Sequence, residues 1–366
     1  MKNHQHFICA TALIGTIVGA ASSSAHAQSK VEITGLLDAG VGYVSNVGGN
    51  NSYRANPGIF RPNALIFRGE EDLGGGNKAL FYLGSLFSIQ SGTVFGGPGS
   101  LFSRESYVGL SNQYGKLTFG NQRDFMFDTL TLNKYPASFA AGSYAAHQGP
   151  FPSFTVPYSP QAAFDFDRVN GEAIANTVKF KSVDFNGLTF GAMYGFGETA
   201  GSVGKSSSTS FGVNYDAGPV GIGAAYTMSK APSINNGNDG IRNVGIGARY
   251  ETGKFLISAL TTFTRNTATG ALINANDISV GYSFTPAWTL STIYTYMRGN
   301  ERLNSVHANQ LTSMLSYRFS KRTMVYVDAA WQLASGRAAY AQVNASPGAS
   351  NNARQFISTF SMQHTF

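Results

Sequence analysis

The chain of 366 residues carries a formal net charge of +7, only 12% charged residues and 43 glycines. Sparse charge and abundant glycine suit many strands and turns with one face in an uncharged medium, and a positive balance without Lys/Arg runs argues against nucleic acid binding. No stretch of the mature part reaches ~18 apolar residues, which excludes a helical membrane protein, and no composition shift marks a domain boundary, so one large architecture is expected.

Residues 1–27 read as an export signal: Lys2, an apolar run from Phe7 to Ala20, and Ala25-His26-Ala27 as a small-x-small cleavage site. The mature chain then starts at Gln28. Cys9, the only cysteine, leaves with the signal, so stability must come from hydrogen bonding and packing without a disulfide.

From Lys30 the sequence alternates. Val31, Ile33, Leu37, Ala39, Val41 and Tyr43 share one face, and Glu32, Thr34, Asp38, Gly40 and Gly42 the other, as in a strand half in lipid and half in water. The polar stretch 45–58 reads as a loop. ALIFRGEED runs into EDLGGGN, whose consecutive glycines allow a tight turn, and KALFYLGSLFSIQ returns outward. An uncharged loop at 91–100, a strand LFSRESYVGL, a turn SNQYG and a strand KLTFGNQ follow. Beyond residue 172 short turns and long loops alternate strictly from IANTVKFKSV to QFISTFSMQHTF. Aromatic residues such as Tyr250, Phe255, Trp288, Tyr317 and Phe319 gather at strand ends, where amphipathic rings suit the headgroup level. The reading is all-β, a 16-stranded antiparallel transmembrane β-barrel, because a sheet in hydrocarbon must close on itself to satisfy its backbone.

Closure at that size leaves a water-filled lumen. Residues 121–172 break the alternation, and they are too long and too rich in Phe, Tyr and Pro for a solvated linker. They are expected to fold into the barrel over residues 28–366 and narrow it. Phe125, Phe127, Tyr135, Phe139, Tyr144, Phe151, Phe154, Tyr158, Phe164 and Phe166 could form a track for sugars or aromatic solutes. The alternative is that they pin the loop to the wall, since ordering about fifty residues costs conformational entropy that buried apolar area must offset. Pro136, Pro150, Pro152, Pro157 and Pro160 stiffen the segment.

In ITGLLDAGVGYV, RGEEDLGGGNKALF (68–81), FSRESYVGLSNQYGKLTFGNQ (102–122), LSYRFSKRTMVYV (315–327) and the terminal Phe366, the sequence resembles the trimeric general porins of Gram-negative outer membranes, especially the betaproteobacterial type. The resemblance implies an inward-folded third external loop, a homotrimer in a lipid bilayer with lipopolysaccharide, and passive diffusion of small hydrophilic solutes, with no cofactor. It also implies that the last strand, with Phe356, Phe360, Met362 and Phe366 on one parity, is read by the outer-membrane assembly machinery. Arg104 and Arg168-Val169-Asn170 match family positions. Ala64, Gly84 and Asn121 stand where the family carries Arg, an acidic residue and Arg, so the wall ladder is thinned.

Selectivity in such a channel comes from pore width and from charges set across it. The candidates for a basic wall are Arg104, Arg123 and Arg168, with Arg68 and Arg318; those for an opposing acidic loop are Asp124, Asp128, Asp165 and Asp167. Asp38 and Glu32 face the lumen by parity. The plainer reading is that some are solvated rim charges, where an ion pair contributes only ~0 to 1 kcal/mol. Small Gly35 and Ala39 on the outward face could let neighbouring barrels approach.

Other function classes find less support. The mature histidines His147, His307 and His364 do not converge with a nucleophile or a metal set, which disfavours an outer-membrane hydrolase, and GGGNKAL lacks P-loop spacing. A secreted β-rich adhesin would expose an apolar surface far too large for a soluble protein. A channel with a dedicated solute site differs from a general pore only in loop detail and stays open.

Overall fold

The computed structural model describes residues 29–95, 100–135, 141–157, 164–337 and 339–366. The expected signal over 1–27 lies outside the described residues, as do Pro136, Phe139, Tyr158 and Pro160. The strands are β1 (Lys30–Val47), β2 (Asn50–Pro57), β3 (Ala64–Gly74), β4 (Asn77–Leu86), β5 (Glu105–Asn112), β6 (Gly115–Arg123), β7 (Ala173–Ser182), β8 (Leu188–Gly195) and β9 (Ser208–Ala217). They continue as β10 (Val220–Lys230), β11 (Gly240–Thr252), β12 (Phe255–Asn266), β13 (Leu272–Ser283), β14 (Trp288–Gly299), β15 (His307–Arg318), β16 (Thr323–Ser335) and β17 (Arg354–Thr365).

All belong to one antiparallel sheet, which closes where β1 pairs with β17 from Leu36↔Thr365 to Val44↔Ile357. The other edge of β1 pairs with two strands: Lys30 to Leu36 face β3, and Ala39 to Val47 face β2. β2 and β3 are therefore halves of one stave interrupted at 58–63, and the barrel has 16 staves. The alternation holds along them. In β10, Val220 and Ile222 are exposed on the outer surface while Gly221, Gly223 and Ala225 are buried inside.

Two sequence expectations are corrected here. Residues 45–58 are not a loop: β1 runs on to Val47, turns through Gly48 and Gly49 at positive φ, and returns as β2. Both faces of that tip meet polar surroundings, so the strand lacks the alternation that marks a half-buried one. Gly35 is not a gap for a neighbouring barrel, because the Phe366 ring lies where its Cβ would stand and the two residues exchange backbone hydrogen bonds of 3.1 Å.

The interruption at 58–63 is held by Asp38. Its carboxylate accepts the backbone N–H groups of Phe60 (3.2 Å) and Arg61 (3.3 Å), the Tyr326 hydroxyl (2.8 Å) and the Gln363 amide (3.3 Å), and its own N–H donates to Asn63. Asp38 is lumen-facing by parity yet fully buried, so it does not wet the wall.

The segment between β6 and β7 folds into the barrel and carpets one side of it. A single π-helical turn, Met126–Thr131, and Tyr135 pack on β8–β12 with Met193, Ala225 and Leu260. Ala141, Tyr144 and Ala145 pack against Val44, Met314, Tyr326 and Ile357, and Phe151, Phe154, Val156 and Phe166 against Ile241, Ile273, Met297 and Ala308. The wall accommodates this by glycine. Cβ atoms at Gly191, Gly212, Gly223, Gly245 and Gly247 would occupy space taken by Phe125, Thr129, Leu130 and Tyr135. The rings among the described residues that the sequence left between track and anchor are thus mainly anchors; Phe127 and Phe164 are only half-buried.

A polar clasp reinforces the packing. His147 lies buried between two carboxylates, with Nδ1 2.6 Å from Asp167 and Nε2 3.0 Å from Asp277 on β13. Thr262 and Thr295 donate to Asp167 (2.8 Å) and Asp277 (2.6 Å). Burial opposes the imidazolium, but the charges of Asp277 and Asp167 outweigh it and hold His147 well above the ordinary histidine range. The doubly protonated ring then donates to both carboxylates.

Two outcomes follow from this anchoring. Gly212→Val should push Thr129 and Phe125 off the wall at a cost of about 1–3 kcal/mol and raise single-channel conductance while the barrel keeps its heat-modifiable gel mobility; unchanged conductance and thermal stability would sink the anchoring role. For the clasp, a group with a raised folded pKa stabilises fully below its unfolded value and loses that stabilisation as pH rises through the folded one. The gap in unfolding temperature between wild type and His147→Gln should therefore be widest at mildly acidic pH and shrink in alkali, starting from about 3–5 kcal/mol for a broken buried pair. A gap independent of pH counts against a charged His147.

Candidate functional site

With β8–β17 carpeted, the inner wall from the 58–63 interruption to β7 remains open, and it is basic. Arg61 projects from the interruption, Arg104 precedes β5, Lys116 stands on β6, and Lys181 stands on the inward parity of β7; Lys179, on the same parity, is buried under the loop, where its ammonium donates to the Arg123 carbonyl (2.6 Å). Arg61 shares a cavity of about 200 Å³ with Arg318, Lys321 and Arg322, lined also by Phe60 and Gln363. Arg104 is within electrostatic reach of Arg61, and its buried Nε has no hydrogen-bond partner among the described residues. Tyr82 and Tyr107 stack at 5.3 Å beside it. Glu105 is the nearby acid, and it accepts the Arg123 backbone N–H (3.2 Å).

The acidic loop side departs from the sequence reading. Asp124 is fully buried, accepts the N–H groups at the start of the π-helical turn (Met126, 3.0 Å), and forms a salt bridge with Arg168. Arg168 is equally buried and also donates to the Glu172 carbonyl (2.7 Å), so it ties the loop's return to its start and is not on the wall. Asp165 caps that return by accepting the N–H groups of Asn170 (2.8 Å) and Gly171 (3.2 Å). Burial, then the charges of Asp167 and Glu172, push it well above the carboxylate range. Asp167 belongs to the His147 clasp. A carboxylate facing water would have needed none of these partners; these three are withdrawn because a non-periodic loop inside a barrel must satisfy its own backbone.

Asp128 is the member nearest the open side. It pairs with Lys179 (3.0 Å) and Lys181 (3.5 Å), and although burial would raise its pKa, the two ammonium groups outweigh that and lower it. Arg123 is buried as well: its guanidinium lies 4.1 Å above the Phe127 ring and donates to the Gly171 carbonyl (2.9 Å), which makes it a brace between the loop's two ends. Arg68 and Glu32 form an exposed ion pair with Lys30 near the short-turn rim, and Arg318 is exposed at the end of β15 with no carboxylate partner among the described residues.

Sequence reasoning missed Arg61, Lys116, Lys179 and Lys181, and it left His147 alone. Parity marks Lys116, Lys179 and Lys181 as inward once Leu117, Phe119, Val178 and Phe180 are taken as outward, so these three were within reach. Asp277 lies 130 residues from His147, and nothing local signals their meeting. Residues 339–353 also turn inward, with Asn344 donating to the Ser143 carbonyl (2.6 Å).

Comparison with known proteins agrees with this architecture. A family profile described as Gram-negative porin matches residues 10–337. The outer membrane porin protein 32 of Delftia acidovorans is 31% identical over 329 residues, covering 86% of this chain and 87% of that one. A major outer membrane protein P.IB of Neisseria meningitidis serogroup B is 25% identical, over 83% and 88%. Among solved structures, an anion-selective porin from Comamonas acidovorans superposes with a TM-score of 0.76 at 23% identity over 93% of this chain and all of that one. OmpT of Vibrio cholerae, in a trimer form, gives 0.64 at 13% identity over 92% and 99%. The chain belongs to the Gram-negative porin family, and it is a non-enzymatic, passive channel of the outer membrane.

Proposed function

We propose that the channel prefers anions, and that small hydrophilic solutes pass between the inserted loop over 121–172 and the basic wall running from Arg61 to Lys181. One observation carries this reading: Asp124, Asp165 and Asp167 are buried within the loop's own framework, whereas Arg61 and Arg318 border an open cavity and Arg104 lies within electrostatic reach of Arg61. Charges that are neutralised and desolvated contribute little field to the water beside them, while those bordering water set the sign of the lumen. The name of the Comamonas acidovorans relative, an anion-selective porin, is consistent with it. The wall arginine absent at Ala64 is replaced three residues earlier by Arg61. The reading extends to a homotrimer in a bilayer with lipopolysaccharide, assembled through the β17 terminus at Phe366, in line with the trimer form of the Vibrio cholerae relative.

Reversal potentials across a salt gradient in planar bilayers test the preference. Wild type should be anion-selective, and Arg61→Ala with Arg104→Ala should lower the anion/cation permeability ratio by roughly fivefold per charge, for about 1 kcal/mol each in a wet lumen. Asp124→Asn should leave the ratio unchanged and lower thermal stability instead. Cation selectivity in wild type, or a ratio that the double variant does not move, refutes the proposal.

A further inference from the structure

The outer surface of β12–β14 changes character toward the long-loop rim. Ile278, Val280 and Tyr294 form its apolar part. Beyond them the outward positions mix two aromatic rings, Phe263 and Tyr296, with Thr261, Asn274 and Asn276, which satisfy one another: Thr261 donates to Asn276 (2.8 Å), and Asn276 donates to Asn274 (2.7 Å). A self-satisfied polar ladder on a lipid-facing parity marks where the hydrocarbon layer ends.

At its upper edge stand Arg298, the cross-strand partner of Asn274, and Arg265, one outward position past Phe263, each one residue short of its strand's end, with Arg302 in the following loop. Together with Asn300 and Glu301 they line an open cavity of about 640 Å³ on the outside of the barrel. The three arginines are exposed, and none has a carboxylate partner among the described residues; Glu301 lines the same cavity without pairing to any of them. Planar guanidinium forks grouped this way match phosphate oxygens.

We infer that this cavity binds the phosphate groups of an anionic glycolipid in the outer leaflet. Two features favour a membrane lipid over a solute in transit. Arg265 and Arg298 stand on the outward parity, away from the lumen, and the apolar surface of Ile278, Val280 and Tyr294 continues below them on the same face, where acyl chains would lie. A free phosphate would use the same forks but gain nothing from that surface. The inference rests on the outer-membrane placement of the chain and is independent of its ion preference.

The test titrates the folded full-length channel in detergent with bisphosphorylated lipid A, dephosphorylated lipid A and inorganic phosphate. Wild type should bind bisphosphorylated lipid A, and Arg265→Gln/Arg298→Gln/Arg302→Gln should bind it roughly 100-fold more weakly, at about fivefold per guanidinium. Dephosphorylated lipid A should bind both proteins equally weakly. Unchanged single-channel conductance of the triple variant establishes that it is folded and separates this site from the pore; should it not fold, Arg298→Gln alone should lose about fivefold. Equal affinity of wild type and variant for bisphosphorylated lipid A overturns the site. Inorganic phosphate binding as tightly as lipid A overturns the glycolipid as its ligand.

Discussion

A sheet closed over this many staves encloses more space than wall side chains can fill, so any constriction has to be an inserted segment that holds itself in place. Ordering such a segment is opposed by backbone entropy of about 1–2 kcal/mol per residue. Here the wall makes room for it. Inward glycines on β8–β11 bring the loop's Phe125, Thr129, Leu130 and Tyr135 against the sheet, converting them from exposed rings and methyls into packed ones. On β8–β11 the loop lies where the wall is glycine, and farther round it lies on Ile241, Ile273 and Met297, which leaves Arg61 and Lys116 on the side it does not pack against.

This division of the wall explains why the charge of the lumen cannot be obtained by counting. The loop's carboxylates are consumed by its own architecture, Asp124 on Arg168 and on the π-helical turn, Asp165 on the returning backbone, and Asp167 on His147. Buried ion pairs add little net stability against a well-packed apolar alternative, but losing one partner is costly, so they fix a loop in a single arrangement more than they strengthen it. Their withdrawal leaves the field of the opening to residues bordering water. The basic character proposed for the pathway would then be a remainder, produced by what the loop needs in order to fold.

The fold was legible because strand parity is a local property. Val220, Ile222 and Ala224 face outward whatever the rest of the chain does, and each short turn announces itself. The loop's interior was not legible for the converse reason. It has no period, and whether Arg168 reaches water or Asp124 depends on a return path some forty residues long. Asp38 shows the boundary between the two cases: its direction followed from parity, but its burial depends on Tyr326 and Gln363 arriving from the far end of the chain. His147 with Asp277 and Gly35 with Phe366 are further pairings that only closure creates.

That same closure is coupled to the constriction through one irregularity. The 58–63 interruption could have been an uninterrupted stave, and β1 offers it a continuous partner edge. Instead Asp38 gathers two of its N–H groups and links them through the Tyr326 hydroxyl to the last strands, across the seam where the barrel shuts. The displaced backbone then does two things at the lumen: the Ile59 carbonyl accepts the Ser143 N–H (2.6 Å) from the inserted loop, and Arg61 is carried onto the open wall. A carboxylate that was fully solvated could not hold this geometry, because water would compete for every one of its bonds. Burying Asp38 joins the seam, the 58–63 interruption and the inserted loop at Ser143 in one hydrogen-bonded unit, so the strand that closes the barrel is linked to the segment that fills it.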